Sequence, residues 1–225
     1  MGETGLIITF IFVLVLLVGF MGRHANEVDW GSGLSNVIDG LVRLLCRRYH
    51  RFQYQTIPLP ESGGAIVAAN HISGLDPLLI ITACKRPVHF MIASEQYHRL
   101  GLTWLFRLAG CIPVERQGRS DRAFRAALKA LDEGKVVALF PQGAIHHGHE
   151  PPSRLKRGVH KLAELSGAPV YPVHVSGVKG VGHVVRGVVL RGHARLESSD
   201  PINCGSMEHG DCLAQLAQGM KVHHH

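Results

Sequence analysis

Aromatic residues make up only 6% of this 225-residue chain, and acids are outnumbered, with 17 Asp and Glu against 24 Lys and Arg for a formal charge of +7. The cations are scattered rather than set in a stripe with aromatics between them. That excludes the usual nucleic-acid surface and leaves an anionic membrane as the better partner for a basic protein. Cysteine is sparse: Cys46, Cys84, Cys111, Cys204 and Cys212 are odd in number and include no Cys-x-x-Cys pair. They are expected to be reduced cytosolic thiols that fill the core. No Gly-x-Ser-x-Gly elbow occurs, and neither an internal repeat nor a low-complexity linker divides the chain. The last residues, Lys221 to His225, read as a tag remnant and are set aside.

Charge is absent altogether from Gly5 to Gly22. As a helix that run spans roughly 27 Å, close to the hydrocarbon thickness of a bilayer. A buried core helix and a cleaved signal peptide are the rivals, but "MGET" lacks a basic flank and no Ala-x-Ala site follows. The run is expected to be a membrane anchor. Arg23, Arg43, Arg47, Arg48 and Arg51 follow it and only Glu3 precedes it, which puts the bulk of the chain on the cytoplasmic face, as at a bacterial inner membrane. Residues 34–52 place Leu34, Val37, Ile38, Leu41, Leu44 and Leu45 at helical spacing with arginines at the end. Such an amphipathic helix suits a membrane surface and packing on its own domain equally.

Beyond it, strands are expected at 65–70, 88–93, 111–116, 135–141 and 169–176. Helices are expected at 77–84, 95–108, 120–131 and 155–165, and one or two further strands at 187–198. The alternation predicts an α/β layered sandwich with a mixed, largely parallel sheet, preceded by N-terminal membrane-associated helices. The divisions are 1–52 for anchor and amphipathic helix and 53–220 for the catalytic domain, with 221–225 left over.

At one strand–helix junction stands "NHISGLDP", Asn70 to Pro77. Asp76 and Pro77 could serve only to start the helix, with His71 a loop residue. Alternatively, Asp76 accepts from one imidazole nitrogen and leaves the other as a general base. That is a serine-hydrolase triad without its nucleophile, suited to a substrate that brings its own hydroxyl.

This stretch resembles the Asn-His-x4-Asp-Pro signature of the glycerolipid acyltransferases typified by 1-acyl-glycerol-3-phosphate acyltransferase. "GCIPVER" (110–116), "LFPQG" (139–143) and "APVYPVHVSG" (168–177) resemble the family's three later blocks, in order, and "RLKRGV" (154–159) resembles its Phe-Lys-x-Gly stretch. The resemblance covers about residues 57–177. It implies transfer of a fatty acyl group from an acyl carrier protein or coenzyme A thioester to a lysolipid hydroxyl, in membrane lipid synthesis or remodelling, without metal or cofactor. His71 and Asp76 would be catalytic, and Arg116, Gln142, Gly143, Lys156 and Arg157 would bind substrate. A silent lipid-binding relative and a thioesterase are the competing functions.

The third block departs from the pattern. Gln142 replaces the usual glutamate, and "AIHH" stands where Thr-Arg-Ser is typical, so Ile145 occupies the arginine's place. The expected acceptor therefore carries a larger or less charged head group than lysophosphatidic acid, unless His146 takes over the arginine's part. His146, His147, His149 and Glu150 could also ligate zinc, but their spacing matches no recognised metal pattern and no metal is expected.

Overall fold

A computed structural model describes residues 3–115, 121–146 and 154–222. The chain begins with helix α1 (Glu3–Ala25), followed by α2 (Gly33–Leu44), which Ser32 caps by accepting the Ser35 N–H. A π turn (Leu45–Tyr49) leads to β1 (Gln53–Tyr54) and β2 (Ala65–Ala69). Then come α3 (Asp76–Ala83), β3 (Val88–Ala93), α4 (Ser94–Tyr97), α5 (Thr103–Leu108), β4 (Ile112–Val114) and α6 (Asp121–Asp132). The rest is β5 (Val136–Leu139), α7 (Gly158–Ser166), β6 (Val170–Ser176), α8 (Val184–Val189), β7 (Arg195–Ser198) and α9 (His209–Gly219).

Seven strands form one sheet in the order β1-β7-β6-β2-β5-β3-β4, every neighbouring pair parallel except β6 and β7. All five residues of β2 are buried, as a central strand covered on both faces requires, and its sequence AIVAA is correspondingly apolar throughout. One core layer joins β2, β3 and β6 to α3; the other lies under α6, α7 and α9. This is the layered, largely parallel α/β sandwich that the sequence predicts.

Among the described residues, α1 is the one helix long and apolar enough to cross a membrane, and Gly22 is its only buried residue. Its apolar side chains from Leu6 to Met21 are exposed, and a bilayer is the environment that would cover them. Helix α2 crosses it where two glycines meet. A Cβ on Gly40 would fall 1.7 Å from the Gly22 carbonyl oxygen, so no larger residue allows this crossing.

Five expectations change. The amphipathic helix ends at Tyr49, not Phe52; Phe52 is buried in the core and the next two residues pair with β7. Its basic end is not all surface: Arg43 is buried, paired with Asp39 at 2.6 Å and donating to the carbonyls of Ile81, Thr82 and Cys84 at the end of α3. The helix expected over 95–108 is two short ones, because Gly101 between them takes φ +82°. The tail forms a helix over 184–189 before its strand, with Gly187 buried and packed closely on Ser73. Finally, Cys204 and Cys212 form a disulfide, brought together as α9 folds back on the turn at 204–206. The other three cysteines are free, and burial pushes the thiol of Cys84 to about 12 and those of Cys46 and Cys111 to about 11.

Candidate active site

Because β2, β3, β4 and β5 run parallel, their C-terminal ends lie along one edge of the sheet, the usual place for a site in such folds. A cavity of about 810 Å³ lies there, lined by His71 after β2, Ala93 at the end of β3, Glu115 after β4, and Phe140, Pro141 and Gly143 to Ile145 after β5. Trp30, Ile38 and Val42 close one wall from the α2 side, and Val184 of α8 contributes another part. Most of the lining is apolar.

Asn70 fixes the start of the turn that carries His71. Its side chain donates to the Val175 carbonyl at 2.9 Å and accepts the Val175 N–H at 2.7 Å, tying the end of β2 to β6. His71 follows, its ring stacked on Phe140 with centroids 3.9 Å apart. His71 Nδ1 donates to Asp76 Oδ2 at 2.8 Å. The same oxygen accepts the N–H groups of Ile72 and Ser73, and Oδ1 accepts the Ser73 hydroxyl at 2.8 Å. Asp76 is thus fully buried yet fully bonded, and it caps the turn before it rather than the helix it begins. The arrangement sets the tautomer: Nδ1 carries the hydrogen and Nε2 is left as the basic nitrogen beside the cavity. Ser73 is buried, with its hydroxyl given to Asp76, and is no nucleophile.

The remaining candidates divide. Gln142 is buried, its Oε1 accepts the His71 N–H at 3.0 Å and so holds the turn that carries His71, and it does not line the cavity. Gly143, at φ +80°, lets the Lys156 ammonium come in; a Cβ there would lie 2.5 Å from Nζ. Lys156 lines the cavity, but Arg157, the exposed residue just before α7, does not. Arg116, His147, His149 and Glu150 lie outside the described residues. His146 donates its N–H to the His71 carbonyl at 2.7 Å, and no metal-binding group occurs among the described residues.

The acyltransferase family pattern matches residues 51–176, more than half of the chain and all of this constellation. The chain belongs to the acyltransferase family. This acyltransferase is 22% identical over 165 residues to the 1-acyl-sn-glycerol-3-phosphate acyltransferase of Bacillus subtilis, covering 73% of this chain and 79% of that one. It is 29% identical over 120 residues to the Borreliella burgdorferi enzyme of the same name, covering 51% and 46%, and 27% identical over 124 residues to the N-acylphosphatidylethanolamine synthase of Arabidopsis thaliana, covering 51% and 43%. Against these last two it matches about half of their length. The crystal structure of the 1-acyl-sn-glycerophosphate acyltransferase of Thermotoga maritima shares its fold, with TM-score 0.64 and 20% identity over 94% of this chain and 86% of that one.

Sequence reasoning missed three contributors: Asn70 as the clamp on β6, Ser73 as a support for Asp76, and Phe140 as the surface under the imidazole. Asn70 and Ser73 lay inside the quoted motif, but their partners are far along the chain or set by the turn. Phe140 stood in the third block with nothing to mark it as His71's neighbour.

Proposed function

We propose that this acyltransferase moves a fatty acyl group from a carrier-protein or coenzyme A thioester to the hydroxyl of a lysophospholipid. The observation that carries the reading is the His71–Asp76 pair, with one imidazole nitrogen engaged by a buried carboxylate and the other beside an apolar cavity. The acceptor hydroxyl gives its proton to His71 Nε2 as its oxygen attacks the thioester carbonyl, and Asp76 stabilises the imidazolium that results. The tetrahedral adduct collapses with cleavage of the C–S bond, and the imidazolium returns the proton to the thiolate. A thiol leaves readily, so this chemistry calls for no metal or cofactor. The apolar lining suits acyl chains.

Among the described residues that line the cavity, Lys156 is the one Lys or Arg, and Ile145 offers no hydrogen bond. Lys156, with the expected Arg116 outside the described residues, suits a singly charged head group better than a terminal phosphate monoester, for which a further bidentate arginine in the place of Ile145 would be needed. A lysophosphodiester or an aminolipid is therefore the proposed acceptor class, and a name shared with relatives does not decide it. Assaying a panel of lysolipids with one thioester donor tests this. The lyso-phosphodiesters or aminolipids should be preferred, and a tenfold or greater preference for lysophosphatidic acid would reject the assignment.

The arginines after α1 support a cytoplasmic domain in a bacterial inner membrane. The Cys204–Cys212 disulfide points the other way, because cytosolic pools keep thiols reduced. Labelling with a membrane-impermeant thiol reagent in intact and lysed cells, with and without reductant, separates the two.

A further inference from the structure

Between Ser176 and Glu197 the chain has no acid, while Lys179, Arg186, Arg191 and Arg195 fall within it. In its middle, α8 and its flanks expose Val181, Val184, Val185, Val189 and Leu190 while Val188 packs on the core, and exposed Tyr49 adjoins them, its hydroxyl donating to the Val189 carbonyl at 2.7 Å. Beside this ridge lies a second pocket, of about 710 Å³, whose charged lining residues are Arg51, Lys179, Arg191 and Arg195, joined by His193. Among the described residues, no carboxylate lines it. Arg51 Nη1 sits 3.0 Å from His193 Nε2, and the nearby Glu197 is already paired with Lys221. An apolar ridge rimmed by uncompensated cations is the composition of an element that lies in a membrane interface.

The same element rests on the turn that carries His71. Gly182 donates to the Ile72 carbonyl at 2.9 Å, and Gly187 and Gly74 are both places where a Cβ would collide, with Ser73 and with the Val184 carbonyl. Val184 also lines the cavity that holds His71.

We propose that residues 178–195 together with Arg51 form a second membrane-contact surface, distinct from α1. Its valines enter the acyl region, and its basic pocket takes the head group of an anionic phospholipid. The cavity beside His71 then opens at the bilayer surface, so a lysolipid reaches Nε2 without its chain passing through water. The proposal concerns docking and stands apart from which acyl group or acceptor is used.

Full-length protein carrying V185W, reconstituted in vesicles with brominated acyl chains, tests it; the parent, with Trp30 and Trp104, supplies the background. Quenching beyond the parent's is expected in vesicles containing phosphatidylglycerol and not in pure phosphatidylcholine. K179Q/R195Q alters two exposed side chains that make no hydrogen bond among the described residues. It should shift the docking equilibrium roughly 25-fold, at about fivefold for each cation near an anionic surface. An unchanged melting temperature confirms that this variant is folded. Extra quenching that is absent, or equal in charged and neutral vesicles, overturns the proposal. So does quenching that survives K179Q/R195Q while binding of an acidic carrier protein is lost, which would assign the pocket to a protein. Because quenching needs no turnover, failure here is separable from failure of the acyl-transfer reading.

Discussion

His71 has two ring nitrogens, and the fold engages only one. With Nδ1 held by Asp76, the imidazole presents a base to the cavity without any other ionisable side chain needed for the proton. H71A should therefore lower turnover by about 10²–10⁴-fold, the usual contribution of a general base, while the protein stays folded and membrane-bound. D76N should be nearly as damaging, since an amide can donate to Nδ1 and reverse the tautomer. Steady-state rates of purified variants check both, and more than a tenth of the parent rate in H71A would end the mechanism. The amide at Gln142 is consistent with a positioning role, because accepting the His71 N–H needs an oxygen and not a charge.

Helix α2 is fastened to α3 by Arg43, whose guanidinium bridges Asp39 and three carbonyls at the end of the helix that begins with Asp76. R43A would leave the carboxylate of Asp39 buried without its cation, which typically costs about 3–5 kcal/mol. Urea unfolding should show a loss of that order; a loss below about 1 kcal/mol would mean that water reaches the pair. Strand β3 carries a pH-sensitive element. Burial holds His89 below the ordinary histidine value, its Nδ1 donating to the Ala109 carbonyl, and burial acts in the same direction on His50. Between the folded and unfolded values the unfolded chain binds a proton that the folded chain refuses, so stability rises with pH across that window. It is fully present above about 6.5 and is lost as the pH falls below. Thermal melts at about pH 7.5 and about pH 5.5 should differ, and H89N, which keeps a donor for Ala109 but does not titrate, should narrow the gap. An unchanged gap would clear His89 of this role.

At the scale of the whole molecule, the sheet places the chemistry at one edge while α1 and the α8 ridge offer two apolar surfaces. Deleting residues 1–30 should release the protein from salt-washed membranes only in part, because the basic, apolar surface at 178–195 remains. Fractionation of the truncated protein at low and high salt checks this, with the retained fraction expected to fall at high salt. A truncated protein that is wholly soluble at low salt would show that α1 alone binds membrane.

Much of this was legible in the chain itself, for a physical reason: the readable features are local. An uncharged run has one physical remedy, alternating apolar segments have one layered arrangement, and a histidine five residues before an aspartate can meet it across a single turn. Nearly all the strands and the His71–Asp76 pair came from such short-range rules. What only the tertiary structure decided depends on contacts between distant positions: Arg43 turned inward by carbonyls some forty residues away, Asn70 answered by Val175, Gln142 drawn to His71, and Cys204 closed on Cys212. Which of the adjacent cations Lys156 and Arg157 lines the cavity was likewise decided by how the loop before α7 packs. Periodicity marks which residues are apolar or charged, but which polar groups meet depends on how the layers pack, and that is where burial makes each hydrogen bond obligatory.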